Sequence, residues 1–164
     1  MALRNIVERD GVDSETLYKR CRPVDDVNDR IRVMLDDMVE TMRQAGGVGL
    51  AAPQVGILKR LVTIDVEDGN QYVLINPEIT EQEGEQTGYE GCLSVPGKTG
   101  IVTRPERVRV RALDAEMEPF ELEAEGLLAR AVCHELAHLD GQLYVELVEG
   151  ELMDVESEEE SGEE

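Results

Sequence analysis

The chain has 164 residues, the size of one ordinary domain. Its formal net charge of −21 excludes a protein held on nucleic acid or on an anionic membrane by its own charge, since both need clustered Lys and Arg. Hydrophobic residues make up 41% and aromatics only 3%, so a core must be built from Val, Ile, Leu, Met and Ala.

Much of the acidic excess is local, between Glu149 and Glu164. A single folded domain is expected over residues 1–150, with residues 151–164 an acidic tail too charged to order itself. No apolar run approaches about 20 residues and Met1 opens no signal-peptide pattern, so neither a membrane span nor export is expected. Cys21, Cys92 and Cys133 form no CxxC pair, and an odd count suits no simple disulfide framework. A reducing cytoplasm is the expected location.

Residues up to Pro23 give weak signals. Asp25, Asp26 or Asn28 can then cap a helix on which Ile31, Met34, Leu35, Met38 and Met42 share one face. Gly46 and Gly47 end it. The glycine-rich GVGLAAPQVG, Gly47 to Gly56, leads into a strand-like run, Arg60 to Val66. A second run, Tyr72 to Ile75, is closed by Asn76-Pro77, and Glu78 to Gln86 reads as an edge strand. Arg107 to Leu113 alternates basic and apolar residues as a half-buried strand does, and Pro119 to Ala124 could pair with it. A second helix is expected from about Gly126 to Leu139, with Gly141 after its end. The fold class is α+β: one domain of short, mostly antiparallel strands around this second helix, plus the helix in the N-terminal half.

The second helix contains HELAH, His134 to His138. Positions i and i+4 share a helical face, so both imidazoles can converge on one ion, and Glu135 can reach water at that ion without binding it. These are the only His in the chain. Random placement would put two His four apart in roughly one case in eighty. A pair of ordinary buried histidines is disfavoured, since unpaired buried imidazoles are costly. A catalytic site needs a third ligand. Glu146, Glu149 and Glu151 follow soon after the helix-ending Gly141. Cys92, in EGCLSVPG with Gly91 and Pro96 marking a loop, is the better candidate. On composition alone a small buried hydrophobe is the stronger reading of this cysteine.

GVGLAAPQVG, EGCLSVP and HELAH, in that order, resemble the three motifs of the peptide deformylase family, over nearly the whole chain to about Glu151. The resemblance implies a metal-dependent hydrolase that removes the N-formyl group from the formylmethionine of new polypeptides, releasing formate. It implies one divalent ion on Cys92, His134 and His138: Fe(2+) by preference, with Zn(2+), Ni(2+) or Co(2+) able to replace it. It implies Glu135 as general acid and base. Gln54 and the backbone N–H of Leu93 would face the developing oxyanion, and the backbone at Val48 and Gly49 would pair with substrate. Leu127, Ala131 and the His134 ring could line a methionine pocket. N-formyl-methionyl polypeptides are then the partners, with the ribosome a transient one that the acidic C-terminus cannot meet through basic contacts. Ala137 departs from the family's usual HExDH. The missing carboxylate could have oriented a histidine or paired with an Arg such as Arg104, so weaker metal retention or activity is expected. Alternatives are a HExxH endopeptidase and a metal-binding relative with reduced or no activity.

Overall fold

The computed structural model describes residues 3–155. The acidic stretch from 156 onward lies outside the described residues. Among those described there are two α-helices, eight strands and three short 3-10 turns.

The first helix, α1, spans Asp29–Gln44. Asn28 caps it, its Oδ1 accepting from the Ile31 N–H at 3.0 Å. Its apolar face, Ile31, Leu35, Met38 and Met42, packs on Leu50, Leu61 and Ile75. The glycine-rich segment becomes a short strand, β1 (Gly49–Ala51), and a 3-10 turn over Ala52–Val55. Strand β2 is Leu61–Ile64.

The third strand, β3, runs unbroken over Tyr72–Glu83, where the sequence predicted a stop at Asn76-Pro77. That dipeptide forms a bulge instead: Asn76 has φ 51°, and the register shifts between Ile75 and Glu78. A proline without an N–H is tolerated at a bulge. The Asn76 side chain further ties the bulge to the backbone N–H and carbonyl of Val24, at 2.7 and 2.8 Å.

Strand β6 (Arg107–Leu113) lies between β3 and β7 (Pro119–Glu125). Val108, Val110 and Ala112 point into the core, as the alternation predicted. Arg107, Arg109 and Arg111 point out, opposite Glu125, Glu123 and Glu121 of β7 and Glu83, Glu81 and Glu78 of β3. Each arginine is thus flanked by carboxylates, which absorbs part of the acidic excess within the sheet.

The order of this five-stranded antiparallel sheet is β1-β2-β3-β6-β7. A second sheet is made by β4 (Gln86–Cys92), β5 (Val95–Arg104) and β8 (Glu149–Asp154), in that order. Residues 151–154, assigned from sequence to the acidic tail, lie instead in β8, where Met153 and Asp154 pair with Thr99 and Lys98 of β5. The helix α2, Gly126–Leu139, sets Ala129, Val132 and Leu136 against Val62, Leu74 and Val110 of the larger sheet. It ends where Gly141 passes so close to Tyr18 that a Cβ would sit 2.6 Å from the Tyr18 carbonyl oxygen. With φ +80° as well, only glycine suits that position. No described helix is long and apolar enough to cross a membrane. The α+β class and the antiparallel pairing match the expectation from sequence.

Candidate metal centre

The two sheets bring the second and third motifs together. Cys92 ends β4 and Val95 opens β5, with Leu93 and Ser94 as the tight turn between them. This hairpin delivers Cys92 to the inner face of α2, where His134 and His138 emerge one turn apart. In the sequence the segment has the look of a loop, because Gly91, Pro96 and Gly97 mask the strands on either side.

The Cys92 Sγ lies 3.3 Å from His138 Nε2. One donor atom each from Cys92, His134 and His138 fall within 4.8 Å of one another. The two imidazoles have ring centroids 5.0 Å apart at 69°. Both histidines are buried, and Cys92 is half-buried.

Behind these residues lies a feature the sequence reading missed. Glu90 is buried and its carboxylate accepts from four donors. Arg104 gives Nε and Nη2 at 2.8 and 2.9 Å, Arg130 gives Nη1 at 2.7 Å, and His134 gives Nδ1 at 2.8 Å. Burial pushes the Glu90 carboxyl up, but Arg104 and His134 outweigh it and hold it at about 2. The bond to Nδ1 fixes the His134 tautomer and turns Nε2 toward Cys92. The place of Glu90 two residues before Cys92 is a weak signal, because the strand pairing is irregular between them.

Arg104 is therefore committed to Glu90. Ala137 lies half-buried beside Arg104 and Cys133 in a separate groove that also contains Cys21 and Arg60. The carboxylate that orients His134 comes from Glu90 and not from position 137.

A cavity of about 320 Å³ opens at the site. It is lined by Gly47, Val48, Gly49, Gln54, Cys92, Leu93, Leu127, Ala131, His134 and Glu135, among others. The residues singled out for catalysis and substrate thus meet around one space, while His138 lies fully buried beside Cys92 and Ala137 lines the separate groove. Leu127 stands 55% exposed on the rim, so it is no core residue. β1 is an edge strand, and just before it the Val48 carbonyl accepts from the Asp65 N–H at 2.8 Å. Gly49 leaves room for the Glu135 carboxylate: a Cβ there would sit 2.5 Å from Glu135 Oε2.

Gln54 is buried, and its amide is anchored at both ends. Oε1 accepts from the Ala51 N–H at 2.9 Å, while Nε2 donates to Ser94 Oγ at 3.1 Å and to Cys92 Sγ at 3.5 Å. Burial pushes the Glu135 carboxyl up to about 7, against the pull of His134.

The donor set fits a divalent transition metal. Thiolate plus two imidazoles is a borderline-soft set suited to zinc, iron, nickel or cobalt. Glu135 Oε1 and His138 Nδ1 are buried and have no hydrogen-bond partner among the described residues. Burial resists charge on His134, yet Glu135, Cys92 and Glu90 raise its pKa to about 10, while burial and His134 push His138 well below 6.5.

Comparison with known proteins agrees with this geometry. The sequence model of the Polypeptide deformylase family matches residues 6–152. A peptide deformylase of Lachnoclostridium phytofermentans is 58% identical over 167 residues, covering 100% of both chains. One of Agathobacter rectalis is 62% identical over 156 residues, covering 94% of this chain and 96% of its own. The crystal structure of a peptide deformylase from Legionella pneumophila superposes with a TM-score of 0.85 at 43% identity, over 90% of this chain and 87% of that one. The chain belongs to the polypeptide deformylase family, hydrolases that remove the N-formyl group from new polypeptides.

Proposed function

We propose that this reaction takes place at the cavity over α2, with Cys92, His134 and His138 holding the family's single metal ion. The observation that carries the reading is the convergence of three donor atoms within 4.8 Å beside a buried, unpartnered Glu135 oxygen. When bound, such an ion supplies Lewis acidity, which makes water a usable nucleophile near neutral pH and polarises an amide oxygen. Fe(2+) is the ion proposed; Zn(2+), Ni(2+) and Co(2+) suit the same donors.

Glu135 accepts the proton of the attacking water and passes it to the departing amine nitrogen. Its burial favours this exchange, because a carboxylate stripped of water is a stronger base. As charge develops on the formyl oxygen, the Gln54 Nε2 and the Leu93 N–H are the donors placed to meet it. The outer edge of β1 at Gly49, with Val48 just before it, takes the substrate backbone in extended form. Ala131, the His134 ring and Leu127 line the space for the methionine side chain. The products are formate and a free N-terminus.

The substrate is made at the ribosome, so transient proximity to it in the cytoplasm is the setting. A net charge of −21 disfavours docking there by charge. An endopeptidase reading has less support, because no further histidine exists downstream to act as a third ligand.

The test is Glu135→Gln in metal-loaded protein. Turnover of a formyl-methionyl peptide should fall by about 10²–10⁴-fold with metal content unchanged. Loss of the metal instead would make Glu135 part of the binding set and overturn its assignment.

A further inference from the structure

We infer that Ser94 is a positioning residue for the reaction, acting through Gln54; this rests on the proposed role of Gln54 as an oxyanion donor. An oxyanion donor must be aimed before the reaction, since reorientation in the transition state costs rate. A primary amide on a flexible side chain can rotate, and it can also flip its oxygen and nitrogen. Three contacts prevent both motions here. The Ala51 N–H requires the Gln54 oxygen on its side, at 2.9 Å. The Ser94 hydroxyl takes one N–H on the opposite side, at 3.1 Å, and both side chains are buried. A flipped amide would set its NH2 against the Ala51 N–H, donor against donor. With Oε1 and one hydrogen fixed, the second hydrogen has a single direction. It points to the Cys92 sulfur, at 3.5 Å, which is the metal face of the cavity.

The backbones of both residues are held by one segment. The Val7 N–H donates to the Gln54 carbonyl and the Arg9 N–H to the Ser94 carbonyl, each at 2.7 Å. Positions 7 and 9 are two apart, so one edge of an extended N-terminal segment spans the gap between the 3-10 turn carrying Gln54 and the hairpin carrying Ser94. The hydroxyl–amide bond therefore joins two elements already pinned together from behind. Ser94 touches no reacting atom; it fixes the direction of the one Gln54 hydrogen that faces them.

The experiment is a double-mutant cycle on metal-loaded protein with formyl-Met-Ala-Ser, using Ser94→Ala, Gln54→Ala and both together. Ser94→Ala should lower kcat about tenfold with KM within about twofold, because aim is lost and substrate binding is kept. In the Gln54→Ala background the same change should cost less than about twofold. Ser94→Thr, which keeps the hydroxyl, should recover most of the rate. A second readout is free of activity. The Gln54 side-chain amide resonances, identified by their loss in Gln54→Ala, should move toward those of a freely rotating amide in Ser94→Ala. Additive losses in the cycle, or amide resonances unmoved in Ser94→Ala, would overturn the proposal. Unchanged kcat in Gln54→Ala alone would instead sink the donor role of Gln54 itself. Thermal melts of each variant separate loss of fold from loss of aim.

Discussion

Replacing Glu90 by Gln should damage both the fold and the metal centre, and the structure sets the scale. The carboxylate accepts from Arg104, Arg130 and His134 through four contacts of 2.7–2.9 Å, all buried. An amide of the same size accepts at one atom only. Its NH2 would face two of the four donors, and two buried guanidinium groups would lose their counter-charge. Removing one partner of a buried ion pair costs about 3–5 kcal/mol. The pKa gives a matching figure: a fall from 4.5 to about 2 corresponds to about 3 kcal/mol. At about 2–4 °C per kcal/mol, melting should drop by about 6–20 °C in metal-free protein. His134 would also lose the acceptor that orients its ring, so metal affinity should fall about 10–100-fold. The pH dependence has a defined sign. Glu90 is depressed on folding, so its contribution is whole above about pH 4.5 and fades as pH falls toward 2. The stability gap between the native protein and Glu90→Gln should close over that window. Calorimetry of chelator-stripped protein and a competition titration with a metal chelator measure the two effects. A melting shift below about 2 °C with unchanged affinity would refute the reasoning.

Cys92→Ala should leave well under one ion per chain after dialysis against a weak chelator, and full retention would remove Cys92 from the ligand set. An iron-loaded native protein should lose activity in air as metal or thiolate oxidises, which chemical analysis of Cys92 and iron content would follow. Gly49→Ala must displace the Glu135 carboxylate, since the new Cβ would lie 2.5 Å from its Oε2. Turnover should fall about 100-fold with metal content kept. Ala137→Asp should change turnover and metal affinity by no more than about twofold, because the side chain faces a groove behind α2 and Glu90 already orients His134. A large gain in either would restore a supporting role to position 137.

Much of the architecture was readable where one period dominates the sequence. α2 was placed from its apolar face and its i, i+4 histidines, and β6 from RVRVRAL. The β4–β5 hairpin was not legible, because Gly88, Gly91, Pro96, Gly97 and Gly100 interrupt the alternation that marks a strand. Asn76-Pro77 reads as a stop because most prolines end strands; here the Asn76 side chain bonds to Val24 and stabilises a bulge. At the site, His134 and His138 are legible from their spacing and Cys92 by resemblance. Glu90 was not, since one carboxylate among 37 Asp and Glu carries little information until its partners are seen. Gln54 was legible by resemblance, but its contact with Ser94 depends on a 40-residue separation that no local pattern reports.

The most direct test of the account is the fate of a formyl peptide. Purified protein loaded anaerobically with Fe(2+) is incubated with formyl-Met-Ala-Ser, and formate and primary amine are measured together. Equimolar formate and free Met-Ala-Ser should appear, with no cleavage of either peptide bond and no reaction of acetyl-Met-Ala-Ser at a comparable rate. Cleavage within the tripeptide, or no formate from a protein shown to carry one ion per chain, would contradict it.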